Sequence, residues 1–282
     1  MMTLRGFLDW ATRTAVRPSG PADRWRQDVW ALGCHVLGCS LAALLAMADG
    51  VPLEATKERA WRGLVDRRAA GEPLPYLVGQ SEFWSLPLYI TPDVLVPRPE
   101  TEILVERVLA SAPRPGACCA DLGTGSGAVA LAIKKECPDI QVVAGDRSLQ
   151  ALRVAGRNAQ ALALDIRLYA GSWLAALPSR SCDIIASNPP YIESADPCLK
   201  TDGLSYEPRG ALDGGHDGLD AIRAIVTDAV RALRNGGRLL IEHGAGQGAR
   251  VRALMTGSGL VDVATYPDYA GHPRVTEGVL RG

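Results

Sequence analysis

The sequence predicts an α/β fold: a mostly parallel β-sheet with helices on both faces, preceded by a small helical bundle and a short β-hairpin. Three observations carry this. From Gly116 onward, short apolar runs alternate with helical stretches, the pattern of parallel strands joined by crossover helices. A glycine-rich turn, Gly123 to Gly127, follows the first of those runs and opens a helix. Residues 1–75 instead repeat apolar positions at three- and four-residue spacing, as a helical bundle does.

Within residues 1–75, helices are expected at Leu4 to Thr14, Arg24 to Leu37, Leu41 to Ala48 and Leu53 to Ala70, with breaks at Pro18, Gly20, Pro21, Gly50 and Pro52. Trp10, Trp25, Trp30 and Trp61 fall here and are expected mainly to fill the bundle core. Val29 to Ala48 carries no charge and is about as long as a membrane span. However, Gly33, His35, Gly38 and Ser40 interrupt it, and Gly38-Cys39-Ser40 reads as a helix stop followed by a serine N-cap. Two short buried helices are therefore expected instead.

Residues 76–98 read as a hairpin linker. Pro73, Pro75, Pro87, Pro92, Pro97 and Pro99 separate runs such as Phe83-Trp84-Ser85-Leu86 and Leu88-Tyr89-Ile90. Pro99 then suits an early helical position, and Glu100 and Glu102 suit the positive end of that helix, beside the mouth of any cofactor site. Residues 99–282 form the sheet domain. Its strands are expected at Ala117 to Asp121, Gln141 to Gly145, Ile166 to Tyr169, Cys182 to Ser187 and Arg238 to His243, closed by a hairpin of Val261 to Tyr266 and Val275 to Leu280. Helices are expected at Ala128 to Cys137, Leu149 to Leu162, Leu219 to Leu233 and Gly248 to Gly257.

The bulk numbers exclude several classes. With 47% hydrophobic and 22% charged residues, the 282-residue chain can build a real core, and its net charge of -1 gives no global basic field for nucleic acid. The seven cysteines are odd in number and include no C-x-x-C pair, which fits neither a disulfide framework nor a zinc site. The four histidines lack H-x-x-x-H spacing, so no metal is expected. Arg5 and Asp9 fall within the first ten residues and no apolar h-region follows, so no secretory leader is expected, and a reducing cytoplasm with no membrane attachment is the expected setting.

Three motifs carry chemistry. Asp121-Leu122-Gly123-Thr124-Gly125-Ser126-Gly127 places a tight turn and free backbone N–H groups at a helix start. Asp146 ends the next strand about 20 residues on, where a carboxylate can accept from both hydroxyls of a ribose. This spacing suits an adenosine-containing ligand and does not separate NAD from S-adenosylmethionine. Gly171-Ser172-Trp173 follows the third strand, where an indole could wall in an adenine. Ser187-Asn188-Pro189-Pro190-Tyr191 ends the fourth strand in a proline-stiffened turn. There the Asn188 side-chain carbonyl, the Pro189 backbone carbonyl and the Tyr191 ring could hold a small planar NH2 group. In an open parallel sheet these positions share one crevice beyond the carboxyl ends of the strands.

Asp121 to Gly127 with its downstream acid resembles the class I S-adenosylmethionine-dependent methyltransferases, and Asn188-Pro189-Pro190-Tyr191 their amino-methylating members. Gly71-Glu72-Pro73-Leu74-Pro75-Tyr76-Leu77, Glu82 to Leu88, Pro97 to Glu102, Glu207-Pro208 and Arg274-Val275-Thr276 resemble the HemK/PrmC family, the protein-(glutamine-N5) methyltransferases that modify peptide chain release factors. The resemblance implies a seven-stranded Rossmann-like class I methyltransferase sheet with an N-terminal helical substrate-recognition domain. It implies S-adenosyl-L-methionine held by Gly123, Thr124, Gly125, Ser126, Gly127, Asp146, Trp173 and Asn188. It also implies a glutamine of a Gly-Gly-Gln motif held by Asn188, Pro189, Pro190 and Tyr191, with Asn188, Pro189 and Tyr191 as the catalytic set. Two positions depart from the family pattern: Ser172, where some relatives carry Asp, and Gly145-Asp146-Arg147, which replaces a more apolar approach to the ribose acid.

The expected partners are class 1 release factors, acted on by a monomer without direct nucleic-acid binding. Glutamine methylation of a ribosomal protein is the nearest alternative. An adenine-N6 nucleic-acid methyltransferase would use the same cradle after base extrusion. A cofactor-binding but inactive regulator and an NAD oxidoreductase stand further off, the latter because nothing supplies a hydride-transfer acid.

Overall fold

The structure is a computed structural model that describes residues 3–13, 22–47, 52–201 and 203–281. Thr14, Ala48 and the expected breaks at Pro18, Gly20, Pro21 and Gly50 lie outside the described residues. The chain divides into two compact units, Met1–Gln80 with Lys200–Tyr206 and Ser81–Leu199 with Glu207–Gly282.

The first unit is helical: α1 (Leu4–Arg13), α2 (Ala22–Leu37), α3 (Leu41–Ala46), α4 (Ala55–Ala69) and α5 (Leu74–Val78). Trp61 on α4 is fully buried and lies against Gly33 of α2, where an added methyl would come within 2.3 Å of its ring. Its indole N–H donates to the Val29 carbonyl at 3.1 Å, and that of Trp25 to the Ala11 carbonyl at 3.0 Å, so neither ring buries an unpaired donor. Trp10 and Trp30 pack half-buried against the same cluster. Gly38 ends α2 with φ +64, and the Ser40 hydroxyl caps α3 by accepting from Ala43 N at 3.2 Å. The sequence pattern misses α5. Pro73 and Pro75 read as linker punctuation, yet Pro75 sits in the first turn of a helix, where no N–H is needed, and Gly79 closes it with φ +72. Among the described residues no helix is long and apolar enough to cross a membrane.

A hairpin of β1 (Gln80–Phe83) and β2 (Leu86–Tyr89) starts at the last residue of the segment Met1–Gln80 and opens the second unit. Trp84 and Ser85, at its turn, both take positive φ (53 and 54), the twist a two-residue hairpin favours although neither is glycine. Glu102 accepts from Trp84 N at 3.0 Å and Glu136 from the indole N–H at 2.9 Å, which holds the turn in place. A short turn at Pro99–Thr101 leads into α6 (Glu102–Ala110). Then follow β3 (Cys118–Leu122), α7 (Ala128–Glu136), β4 (Gln141–Asp146), α8 (Leu149–Leu162), β5 (Arg167–Ala170), β6 (Cys182–Ser187), α9 (Asp220–Ala232), β7 (Leu233–Glu242), α10 (Gly248–Gly257), β8 (Leu260–Pro267) and β9 (Pro273–Leu280).

The last seven strands form one sheet in the order β5-β4-β3-β6-β7-β9-β8. β5 to β7 are mutually parallel in that order, and β9 enters antiparallel between β7 and β8. β7 begins ahead of the expected Arg238, because Leu233 already pairs with Cys182 before an irregularity in register. One face of the sheet, with Ala120, Leu122, Ile185, Leu239 and Ile241, buries Ile222 and Ile225 of α9 and Val251 and Met255 of α10. Alternate residues turn the other way, so Asp121 faces α7 and accepts from Ala130 N at 3.2 Å. The chain leaves β3 for β4 on one side, whereas β6 pairs on the other. Their carboxyl ends therefore part at a topological switch point, where such sheets bind ligands.

Candidate active site

The loop after β3 is shaped by three glycines with positive φ: Gly123 (+70), Gly125 (+54) and Gly127 (+84). Gly123 N and Thr124 N both donate to the Gly145 carbonyl, at 2.9 and 3.0 Å, which pins the loop to the end of β4. The Thr124 hydroxyl turns inward to Asp121 Oδ2 at 2.7 Å. Burial pushes the Asp121 carboxyl up to about 6 against the lowering effect of Thr124 and Ala130 N, and nearby Asp146 adds to the rise. Thr124 and Ser126 are thus buried, and what they offer outward is backbone. Gly127 packs on α8, where an added methyl would lie 3.3 Å from Ala155 Cβ.

A cavity of about 570 Å³ opens beyond the strand ends, and Gly123, Gly125, Asp146, Trp173, Asn188 and Pro190 all line it. Thr124 and Ser126 line a smaller pocket of about 50 Å³ that shares Gly123, Gly125 and Asn188 with the first. Asp146 Oδ2 accepts from Gly125 N at 3.0 Å and Oδ1 from Ser148 N at 2.9 Å, so each oxygen keeps a lone pair for a further donor. Trp173 adopts φ +47, and its carbonyl accepts from the Tyr169 hydroxyl at 2.8 Å. A methyl at Gly123 would lie 3.4 Å from the Trp173 ring, so glycine keeps the cradle between loop and indole open. Backbone N–H groups, a fixed carboxylate and an indole form a donor and acceptor set that fits an adenosine-bearing ligand. Ser172 lies in the same wall.

At the end of β6 the Ser187 hydroxyl donates to the Leu122 carbonyl at 2.8 Å, joining the two strands of the switch point. Asn188 is half-buried and lines both cavities. Its Nδ2 donates to Thr101 Oγ1 at 3.0 Å. Pro189 and Tyr191 lie behind this surface, and neither lines the larger cavity. The Tyr191 hydroxyl donates to Glu242 Oε1 at 3.3 Å. Glu242 is 1% exposed; burial pushes its carboxyl up to about 7, against the pull of the Thr101 hydroxyl, Arg274 and Tyr191.

The turn is braced from behind. Ile192 N donates to Leu212 O at 3.0 Å, Gly214 N to Ile192 O at 2.8 Å, and Gln247 Nε2 to Tyr191 O at 3.0 Å. A methyl at Gly214 would come within 2.8 Å of the Pro190 carbonyl oxygen, so only glycine admits this approach. Farther along the wall, Glu207 accepts from Val96 N at 3.2 Å and pairs with Arg98, joining two segments that the family resemblance had singled out separately.

Sequence reasoning missed Glu242 and Asn158, gave Thr101 no role beyond its place in the Pro97 to Glu102 resemblance, and missed the cavity wall made by Asp93, Val94 and Leu95 and by parts of 210–221. Asn158 on α8 donates to Tyr89 O at 3.0 Å and Ser126 O at 2.9 Å, and accepts from Tyr89 N at 2.7 Å. Leu239-Leu240-Ile241-Glu242 did carry a signal, since a carboxylate closing an apolar strand beside the switch point invites inspection. Asn158 carried none, being one polar residue on an amphipathic helix.

Comparison with known proteins gives consistent likenesses. Residues 99–201 match the family described as Methyltransferase small domain, and residues 11–79 match the PrmC N-terminal domain. The Release factor glutamine methyltransferase of Salmonella typhimurium is 42% identical over 96% of this chain and 98% of its own length. The protein of the same name from Xylella fastidiosa is 46% identical over 91% of this chain and 94% of its own. Among solved structures, a methyltransferase from Pyrococcus furiosus matches with a TM-score of 0.54 at 20% identity, over 70% of this chain and 89% of that one, a likeness of fold.

Proposed function

The chain belongs to the release factor glutamine methyltransferase family, and we propose that it transfers a methyl group from S-adenosyl-L-methionine to the side-chain amide nitrogen of the glutamine in the Gly-Gly-Gln motif of class 1 peptide chain release factors. The observation that carries this reading is the extent of the likeness, which covers the helical N-terminal region as well as the sheet domain. On this reading residues 1–75 recognise the release factor, residues 76–98 are the linker and residues 99–282 carry out the transfer.

The backbone from Gly123 to Gly127, the Asp146 carboxylate, the Trp173 indole and Asn188 hold the cofactor, which when bound supplies an electrophilic sulfonium methyl. An amide nitrogen is a poor nucleophile because its lone pair is shared with the carbonyl. The residues of the turn therefore have to orient it and favour positive charge on it. Asn188 Oδ1 and the Pro189 carbonyl accept the two amide N–H groups, and the Nδ2 bond to Thr101 leaves Oδ1 for this task. Pro190 on the cavity wall, with Tyr191 packed behind the turn, sets the direction of the amide plane, and such orientation is worth several kcal/mol of barrier.

The test is peptide mass mapping of a release factor after incubation with enzyme and cofactor. A gain of about 14 Da on the Gly-Gly-Gln glutamine is expected. A gain on a ribosomal protein alone, or none on either, would replace this reading.

A further inference from the structure

Thr101 and Glu242, behind the turn, can extend the hydrogen bonds of Asn188 and Tyr191 into a directed chain, and the functional reading leaves Glu242 without a task. Asn188 Nδ2 donates to Thr101 Oγ1 at 3.0 Å, and Tyr191 OH donates to Glu242 Oε1 at 3.3 Å. Thr101, 4% exposed, stands close enough to lower the pKa of the Glu242 carboxyl, whose Oε2 is buried with no hydrogen-bond partner among the described residues. Glu242 sits at the end of β7, whose Ile241 pairs with Ser187 immediately before Asn188. It is thus one strand away from the turn, and it lines neither cavity.

The chain has a polarity. A hydroxyl that accepts from Asn188 Nδ2 has its own proton free to point at the carboxylate, and an ionised carboxylate only accepts. With Glu242 ionised, both Tyr191 and Thr101 donate toward it, and Asn188 is left to present its NH2 inward and its Oδ1 to the cavity. With Glu242 protonated, the acid can donate to Thr101 Oγ1, and the threonine hydroxyl can then donate to Asn188 Oδ1. The amide is then free to turn over and present N–H groups to the cavity, where a substrate amide would meet donors instead of an acceptor.

We propose that Glu242 and Thr101 are positioning residues which, by the direction of this hydrogen-bond chain, keep the Asn188 amide turned with Oδ1 toward the substrate amide. The inference rests on the reading of Asn188 as a substrate acceptor. The groups facing Glu242 are Tyr191 from the turn, Thr101 and Glu100 from the segment before α6, and Arg274 from β9. Arg274 favours the ionised carboxylate and Glu100 opposes it, so the chain works above the carboxyl's raised pKa of about 7 and loses direction below it.

The experiment uses the full-length enzyme and its Glu242→Gln, Thr101→Val and Thr101→Ser variants, with a release factor and S-adenosylmethionine as substrates. Turnover should rise with pH through an inflection near 7 in the unaltered enzyme, following Glu242. Glu242→Gln should lower kcat about 10- to 100-fold and abolish that inflection, while KM for the cofactor stays within about threefold. Thr101→Val should lose kcat similarly, and Thr101→Ser should recover most of it. The side-chain amide resonance of Asn188, followed by NMR, should titrate with the same inflection in the unaltered protein and not in Glu242→Gln. Wild-type kcat in both Glu242→Gln and Thr101→Val, or an Asn188 amide that ignores pH, overturns the inference. If the amide titrates as expected in a protein that leaves release factors unmethylated, the functional reading fails instead, and the direction of the chain stands.

Discussion

The phenol ring of Tyr169 lies over the bare Cα of Gly145 on the neighbouring strand, and a methyl at Gly145 would sit 2.1 Å from Tyr169 Cζ. The same ring sends its hydroxyl to the Trp173 carbonyl at 2.8 Å. Glycine beside Asp146, a departure from the family pattern in sequence, is thus the space that lets Tyr169 hold the Trp173 backbone. Gly145→Ala should destabilise the fold by about 1–3 kcal/mol through overpacking and weaken cofactor binding at least tenfold. Calorimetric titration with S-adenosylmethionine reads this, and Tyr169→Leu in the same chain should relieve the strain. A Gly145→Ala protein that binds normally would remove Tyr169 from its proposed role.

Gly214 offers a complementary test at the proposed substrate turn. Its added methyl would meet the Pro190 carbonyl, the Gly218 carbonyl and Tyr191 Cα, all at 2.8 Å. Gly214→Ala should cut kcat by more than tenfold while the thermal midpoint moves only a few degrees, because a displaced turn misaligns the reacting amide. Steady-state kinetics on a release factor decide it, and unchanged kcat would show the turn to be tolerant of such a shift.

Asn158 ties the hairpin to the glycine-rich loop with three hydrogen bonds through one buried amide. Asn158→Ala leaves Tyr89 N–H, Tyr89 C=O and Ser126 C=O without it, a loss of about 2–4 kcal/mol. The expected signature is a lower denaturation midpoint together with faster amide exchange at Tyr89. Exchange at Tyr89 equal to that in the unaltered protein would mean that the clamp is dispensable.

Glu242 should oppose folding and assist turnover. Its carboxyl is raised from 4.5 to about 7 mainly by burial, so the folded state holds the proton more tightly than the unfolded chain does. The stability this group allows is complete below about pH 4.5, declines as pH rises through about 7, and is flat above that. The full loss is roughly 3 kcal/mol. Glu242→Gln, which cannot ionise, should gain stability relative to the unaltered protein between pH 5 and pH 8, measured by urea melts at both. A constant difference at the two pH values would place the ionisation of Glu242 outside this range.

Much of this was legible in the chain. Alternating runs located the parallel strands because the central ones, β3 and β6, are buried on both faces and read as nearly continuous apolar sequence; Cys182–Ser187, Leu149–Leu162 and Gly248–Gly257 fall where the pattern puts them. The glycine loop, Asp146, Trp173 and Asn188 were legible because a parallel sheet forces its strand ends together. Thr101 and Glu242 were not, since they approach Asn188 from a turn before α6 and from β7, and no local pattern records that meeting. Nor was α5, because a proline in the first turn of a helix looks in sequence like one that ends a strand. The loop-borne cavity wall within 208–221 has no periodicity to read.

The two prolines of the turn have one further consequence. Neither Pro189 nor Pro190 has a backbone N–H, so their main chain can only accept hydrogen bonds. On the proposed reading a primary amide satisfies Asn188 Oδ1 and the Pro189 carbonyl with its two N–H groups, and the methylated product has only one left to give. On that reading the turn in effect counts hydrogens: its product would be a poorer guest than its substrate, and the reaction would stop at a single methyl.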